Sequence, residues 1–215
     1  MFSSFYAGSN RTVVQCLQQQ LFGASPVVFL YGVRGTGKTH LLQALCKEVS
    51  EQGKEVIYIP SAALLEHGPE MLTSSSHLFM LCLDDVDGLL VDKQWNYALF
   101  NVYRELDEHQ SKLILTAENP PASYQFPLAD LASRVIAGTV LRLQLLSEDE
   151  QLHALQLHAT QRGLDLPEEV ALYLLRRLPR DMNTLCGFLD ELDVASLTAQ
   201  RKLTVPFVKQ VLDVS

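Results

Sequence analysis

The sequence lacks an apolar run long enough to cross a bilayer, and it lacks an excess of basic charge. A membrane-spanning helix needs about 20 consecutive apolar residues, and no stretch of these 215 residues approaches that length. The 17 lysines and arginines are outnumbered by 25 acidic residues, which gives a formal net charge of −8. Such a balance does not attract nucleic-acid phosphates or anionic lipids in general, although it leaves room for a local basic patch. These absences argue against a membrane protein and against a nonspecific DNA-binding protein.

Cysteine is scarce, and the motifs of several enzyme classes are missing. The four cysteines are scattered without a Cys-x-x-Cys pair, and Cys46 and Cys82 fall within apolar segments, where reduced core thiols are the simplest interpretation. The six histidines show no metal-ligand spacing, and no Gly-x-Ser-x-Gly elbow of a serine hydrolase is present. The first residues also lack the charged-then-apolar pattern of a secretion signal. We therefore expect a cytoplasmic protein.

Apolar strand patterns alternate with helical patterns over the first two thirds of the chain. The predicted strands are Val27–Tyr31, Glu55–Ile59, Leu78–Leu83, Leu113–Thr116 and Val140–Leu143. This alternation is typical of an α/β fold with a mostly parallel sheet covered on both faces. From Glu148 onward no strand pattern occurs, and Ser147 followed by three acidic residues fits a helix N-cap. We predict an α/β domain over residues 1–146 and a small all-helical domain over residues 147–215.

The most specific motif is a phosphate-binding loop. Residues 32–39 fit the pattern of a glycine, four residues and Gly-Lys-Thr, and they lie between a predicted strand and a predicted helix. Glycines allow the tight turn that brings backbone N–H groups close to phosphate oxygens. Lys38 supplies a charge for the β- and γ-phosphates, and Thr39 supplies a hydroxyl for Mg²⁺. We expect ADP or ATP to bind here with Mg²⁺. The residues expected to bind the nucleotide are Gly32, Val33, Arg34, Gly35, Thr36, Gly37, Lys38 and Thr39.

A second signal is the apolar segment 78–83, which ends in Asp84 and Asp85. Ligands bind at the carboxyl ends of parallel strands, so we predict that Asp84 holds Mg²⁺ through water and that Asp85 orients or activates the attacking water. Acids that end a strand are by themselves often solvated turn residues. The signal becomes much more specific because it follows a phosphate loop by about 45 residues within an α/β pattern.

Polar groups also follow the fourth predicted strand. Thr116 or Glu118 could sense the γ-phosphate or position water, and a plain strand-end role is equally compatible with the pattern. Arg134 ends the segment Leu131-Ala132-Ser133-Arg134. A lone arginine of this kind is ordinarily a solvated or salt-bridged side chain.

Several of these segments together resemble AAA+ ATPases of the bacterial initiator (DnaA) clade, and within that clade the Hda family of DnaA-related regulators. Phe5-Tyr6-Ala7-Gly8-Ser9-Asn10 is similar to the segment near the nucleotide base, which implies that Gly8 and Asn10 contact the nucleotide. Leu131–Arg134 resembles the arginine-finger motif, which implies that Arg134 acts in trans. The segment 197–209 resembles the end of the Hda lid domain. The resemblance covers nearly the whole chain.

The resemblance implies a fold and a role. The fold is a P-loop NTPase domain with a five-stranded parallel sheet, followed by a helical lid, with nucleotide between them. The role is to engage ATP-bound DnaA together with the DNA sliding clamp and to promote hydrolysis of DnaA's ATP, since an arginine donated in trans speeds phosphoryl transfer. We expect the protein to have weak ATPase activity of its own. We also expect it to reach the nucleoid only through its partners, and a homo-oligomer is possible. The initiator's C-terminal helix-turn-helix domain does not follow the lid, so strong direct DNA binding is not expected.

The chain departs from the family pattern in two places. No Gln-Leu-hydrophobic stretch for clamp binding is found at its start, so either that peptide precedes residue 1 or clamp binding is lost. Asn183 stands where the lid's second sensor arginine is expected, and an asparagine contributes no guanidinium charge to the γ-phosphate. Arg180 could partly substitute for it. Two other functions stay open at this point: an autonomous ATPase or helicase-loader-like protein, and an adaptor that holds nucleotide permanently.

Overall fold

The computed structural model describes residues 4–20, 23, 25–72, 77–179 and 181–212. The chain divides into two compact units. One consists of residues 9–145, and the other combines residues 4–8 with the residues from 146 onward. Among the described residues, no helix combines the length and the apolarity that crossing a membrane requires.

The first unit is built on a sheet of five parallel strands, as the sequence predicts. The strands are β1 (Val27–Tyr31), β2 (Glu55–Pro60), β3 (Leu78–Asp84), β4 (Lys112–Ala117) and β5 (Thr139–Arg142). Their order across the sheet is β2-β3-β4-β1-β5, so the carboxyl ends of β3, β4 and β1 adjoin one another. Strand β4 is buried at every position, which fits a central strand of a sheet whose two faces are covered by helices.

Six helices accompany the sheet in the described part of this unit. They are α1 (Arg11–Gln20), α2 (Lys38–Glu51), α3 (Ser61–His67), α4 (Asp87–Val91), α5 (Lys93–Glu108) and α6 (Ala129–Ala137). Helix α5 shows why these segments are helical. The side chain of Asp92 caps its first turn by accepting the Trp95 N–H at 3.0 Å. Its residues Trp95, Leu99, Val102 and Leu106 recur at helical spacing and are all buried in the core over the sheet.

The second unit is helical and has a hydrophobic core of its own. Its helices are α7 (Glu148–Gln161), α8 (Glu168–Arg177), α9 (Met182–Ala199) and α10 (Val205–Leu212). Ser147 and Glu150 form the reciprocal capping box that begins α7, at the predicted N-cap. An ion pair of 2.6 Å between Arg162 and Asp190 joins the end of α7 to α9. Helix α9 ends at Ala199, and its C-cap residue Gln200 adopts a left-handed conformation.

Two leucines of α9 provide a test of the second unit's core. Leu189 is fully buried, whereas Leu197 is 71% exposed on the same helix. Leu189→Ala leaves a cavity and should lower the free energy of unfolding of this unit by about 2–5 kcal/mol. Leu197→Ala is the matched control and should change that free energy by no more than about 0.5 kcal/mol. Amide hydrogen exchange of α7–α10 measures both effects. An equal loss of unfolding free energy in the two variants would contradict the burial of Leu189 in this core.

Candidate functional site

The backbone of the glycine-rich loop between β1 and α2 requires glycine at several points. Gly35 and Gly37 have φ angles of +87° and +89°, in the left-handed region that strains any other residue. Gly32 is required for a different reason, which is the lack of space for a side chain. A Cβ there would lie 2.6 Å from the carbonyl oxygen of Leu143, which follows β5. The loop is therefore tightly turned and packed against the end of a neighbouring strand.

Lys38, the first residue of α2, places a buried positive charge inside this loop. Its Nζ donates to the carbonyl oxygen of Gly32 at 2.9 Å and lies 3.8 Å from Oδ1 of Asp85. Thr36 closes the turn by donating its hydroxyl to the carbonyl oxygen of Val33 at 2.9 Å. The amino end of a helix already carries a partial positive charge. A buried ammonium at the same place makes the loop suited to an anion.

Asp84 ends β3 and is held by hydroxyl groups from both neighbouring strands. The Tyr58 hydroxyl, from β2, donates to its Oδ2 at 2.9 Å, and the Thr116 hydroxyl, from β4, donates to its Oδ1. Asp84 is only 4% exposed. A buried carboxylate requires such donors because it has lost its water. Three adjacent strands therefore fix the orientation of this side chain.

Asp85 is exposed and has an unusual backbone. Its φ is +55°, and its N–H donates to Oγ1 of Thr116 at 2.8 Å, so the same hydroxyl group organises both acids. Although the side chain is exposed, partial loss of water around the carboxyl raises the pKa of Asp85, the neighbouring charge of Asp84 raises it further, and Lys38 opposes the shift. A carboxylate with a raised pKa accepts a proton more readily, which suits a general base.

Asp87 anchors the loop that follows β4. Its Oδ1 accepts the N–H of Glu118 at 3.0 Å and also accepts the hydroxyl of Tyr124. The Tyr124 oxygen in turn accepts the N–H of Asn119 at 3.1 Å. Burial and the hydrogen bond to Asp87 raise the pKa of Tyr124 to about 12. The backbone of Glu118 is thus fixed at the carboxyl end of the sheet, whereas its side chain is exposed.

A cavity of about 700 Å³ opens beside the loop at the carboxyl ends of β1, β4 and β5. Its lining includes Gly32 and Val33 of the loop, Glu118 and Asn119 after β4, and Arg142. This volume lies in the range of small-molecule sites. Within the described part of the chain, no group of three or more histidine, cysteine or acidic side chains is arranged to hold a metal ion. Any Mg²⁺ at this site would therefore need oxygen ligands from a bound molecule or from water as well.

The candidate residues near the N-terminus lie in different units. Asn10 is buried in the first unit, where its side-chain amide makes two hydrogen bonds to the backbone of Gln144, at 2.9 and 2.8 Å. Gly8 belongs to the second unit and has a φ of +47°. A Cβ at Gly8 would lie 2.5 Å from Oε1 of Glu150. These contacts explain in structural terms why an asparagine is found at Asn10 and a glycine at Gly8.

The other candidate residues differ in how they are placed. Arg34 and Thr39 are exposed on the loop and on the first turn of α2. Arg134 is exposed in the last turn of α6, with its guanidinium 6.0 Å from the centre of the Tyr103 ring. The side chain of Asn183 and the whole of Arg180 lie outside the described residues.

Three residues of the site, Tyr58, Asp87 and Tyr124, are not indicated by the sequence reasoning. Asp87 could have been predicted, because it is the third acid within residues 84–87, at the carboxyl end of β3. The sequence gives no such indication for Tyr58 and Tyr124, since a tyrosine in a strand or loop is ordinarily a packing residue. Thr116 is a candidate whose side chain is fully buried, with its hydroxyl directed at Asp84.

Family models match nearly the whole chain. A model of the bacterial DnaA ATPase domain matches residues 1–142, and a model of the Hda lid domain matches residues 148–212.

Solved structures have a similar fold. Domain III of the Thermotoga maritima replication initiation protein DnaA is 22% identical, with a TM-score of 0.82 over 99% of this chain and 95% of that one. AMPPCP-bound DnaA from Aquifex aeolicus is 25% identical, with a TM-score of 0.70 over 88% of this chain and 63% of that one. The RuvB Holliday junction branch migration motor of Thermotoga maritima is 16% identical, with a TM-score of 0.69 over 95% of this chain and 67% of that one.

The bond from Tyr124 to Asp87 predicts a pH-dependent contribution to stability. Folding raises the pKa of this hydroxyl to about 12 from an ordinary value of about 10. The stabilisation is therefore complete below about pH 10 and is lost as the pH rises through about 12. Tyr124→Phe should lower the free energy of unfolding by about 1 kcal/mol at neutral pH, and this difference from the parent should shrink above about pH 10. Urea unfolding across this range measures it.

Tyr97→Phe is the control for this measurement, because Tyr97 is 51% exposed and its hydroxyl has no hydrogen-bond partner among the described residues. It should unfold like the parent throughout. A Tyr124→Phe difference that does not vary with pH would mean that the hydroxyl does not act through Asp87.

Proposed function

Because the chain belongs to the bacterial DnaA ATPase-domain family, we propose that it is a nucleotide-binding AAA+ regulator of replication initiation, which promotes hydrolysis of the ATP bound to DnaA. The observation that carries this proposal is the pairing of a phosphate-loop site in the first unit with a match to the Hda lid domain over residues 148–212. The match covers 63% of the length of the Aquifex aeolicus DnaA chain.

The nucleotide is proposed to bind through the loop Gly32–Thr39. The related DnaA structure from Aquifex aeolicus contains AMPPCP. Lys38 already lies at the centre of this loop, where a phosphate oxygen would replace the Gly32 carbonyl oxygen as its partner. The Thr39 hydroxyl and the Asp84 carboxylate are hard oxygen donors, which fit Mg²⁺. When bound, that ion would neutralise charge on the phosphate oxygens.

Hydrolysis of the chain's own nucleotide is proposed to be slow. Asp85 would orient or activate water, with Glu118 as the other acid at this edge of the sheet. Thr116 is better suited to positioning Asp84 than to touching phosphate, because its hydroxyl proton is used in that bond. Asn183 supplies no guanidinium for the developing charge, which leaves the transition state less stabilised. The likeness to RuvB concerns the fold alone and does not favour a motor function.

Arg134 is proposed to act on the nucleotide of DnaA. It lies exposed on α6, and among the described residues no carboxylate lies within ion-pair distance of it, so its guanidinium is available to a partner. An arginine donated across an interface stabilises the charge that develops on the transferred phosphoryl group. The DNA sliding clamp is proposed as the second partner, through a peptide that is not found in this sequence.

Nucleotide binding is tested by two lysines of α2. Lys38→Ala removes the phosphate-directed charge and should weaken the affinity for ADP by about 10–100-fold, the range of a charged hydrogen bond. Lys47→Ala is the matched control, because Lys47 pairs with Glu51 on the exposed side of the same helix. It should bind ADP like the parent. Calorimetric titration with equal affinities for the parent and Lys38→Ala would refute the assignment of the loop.

The role of Arg134 is tested with ATP-loaded DnaA, in the presence and absence of DNA-loaded clamp. Arg134→Ala should bind ADP and unfold like the parent, since the side chain is exposed. It should fail to stimulate hydrolysis of DnaA's ATP, a loss within the ~10³–10⁵-fold range of such arginines. Arg104→Ala removes an exposed arginine of α5 and should stimulate normally. Undiminished stimulation by Arg134→Ala would place the catalytic contact on another residue.

A further inference from the structure

We propose that Tyr58 is a positioning residue of the nucleotide site, which holds the Asp84 carboxylate in the orientation that a magnesium–nucleotide complex requires. This inference rests on the proposed binding of nucleotide at Gly32–Thr39. It concerns a residue on β2, which two other strands separate from β1, the strand that precedes the phosphate loop.

The register of the sheet brings Tyr58 to Asp84. In the β2–β3 pair, Tyr58 lies opposite Cys82, and Pro60 lies opposite Asp84. The tyrosine side chain is long enough to cover that two-residue offset, and its hydroxyl donates to Oδ2 of Asp84 at 2.9 Å. The tyrosine therefore connects the acid at the end of β3 to the neighbouring strand β2.

The Tyr58 hydroxyl remains a hydrogen-bond donor at neutral pH. Burial raises the pKa of this hydroxyl, and the hydrogen bond to the Asp84 carboxylate raises it further. A phenolate beside a carboxylate would place two negative charges together, which explains the direction of the shift. Tyr58 thus orients Asp84 as a hydrogen-bond donor.

The Asp84 side chain has no cationic partner among the described residues. Its two oxygens accept hydrogen bonds from neutral hydroxyl groups, Tyr58 on one side and Thr116 on the other. In the described part of the chain, no lysine, arginine or histidine nitrogen lies within 4.0 Å of the carboxylate, because Lys38 is directed at Asp85 instead. A buried charge of this kind is costly unless it is compensated. A divalent cation at the loop would supply the compensation, and two fixed donors would keep the carboxylate facing it.

The test compares ADP binding by Tyr58→Phe and the parent, by calorimetry, first in EDTA and then over a series of MgCl₂ concentrations. The substitution removes one oxygen and keeps the ring. Tyr58→Phe should bind ADP in EDTA with the parent's affinity, because it does not touch the phosphate loop. The MgCl₂ concentration that gives half of the magnesium effect should rise by about tenfold, the equivalent of one hydrogen bond to a charged group. Tyr97→Phe, at an exposed hydroxyl, should leave both quantities unchanged.

A double-mutant cycle shows whether Tyr58 acts through Asp84. In an Asp84→Asn background, adding Tyr58→Phe should cause no further change in the magnesium dependence. Full additivity of the two substitutions, or a parent-like magnesium dependence in Tyr58→Phe, would overturn the positioning role and leave the nucleotide proposal standing. Failure of the parent itself to bind ADP, with or without MgCl₂, would instead overturn the proposed function. The two failures are therefore distinguishable.

Discussion

The carboxylate of Asp84 is held between two hydroxyl groups, and the carboxyl edge of the sheet is organised around that contact. The strand order β2-β3-β4 places Tyr58, Asp84 and Thr116 side by side. The Thr116 hydroxyl also accepts the N–H of Asp85, whose left-handed backbone brings the second acid within 3.8 Å of Lys38. One set of hydrogen bonds thus connects both acids with the phosphate loop. Because each donor comes from a different strand, the arrangement exists only if the sheet has this order and register.

The loop that follows β4 at this edge of the sheet precedes the helix that contains Arg134, the residue proposed to act on a partner. Asp87 fixes the loop after β4 through the backbone of Glu118 and the hydroxyl of Tyr124. That loop continues into α6, which carries Arg134. The phosphate loop and the arginine proposed to act in trans therefore belong to one compact unit. The lid unit keeps a separate hydrophobic core, in agreement with the change of pattern at Ser147.

Much of the fold could be predicted from the sequence, because apolar periodicity reports burial directly. The five strands follow from it, with boundaries within two residues, and so does the absence of a strand pattern from Glu148 onward. The phosphate loop could be predicted because its glycines are required by positive φ angles and close approach. The functions proposed for Tyr58 and Thr116 could not be predicted from the sequence, since they depend on which strands are neighbours in the sheet. For Asn10, the family resemblance implies a contact with the nucleotide. The structure shows a different contact, because the Asn10 side chain makes two hydrogen bonds to the backbone of Gln144.

A crystal structure of the chain with AMPPCP and Mg²⁺ would test most directly whether this edge is a preformed nucleotide site. The expected result places the phosphates along Gly32–Thr39, with Lys38 Nζ moved from the Gly32 carbonyl oxygen to a phosphate oxygen. The hydrogen bonds from Tyr58 and Thr116 to Asp84 should be the same as they are without nucleotide. Nucleotide bound at another place, or an Asp84 carboxylate turned away from both hydroxyl groups, would contradict a preformed site.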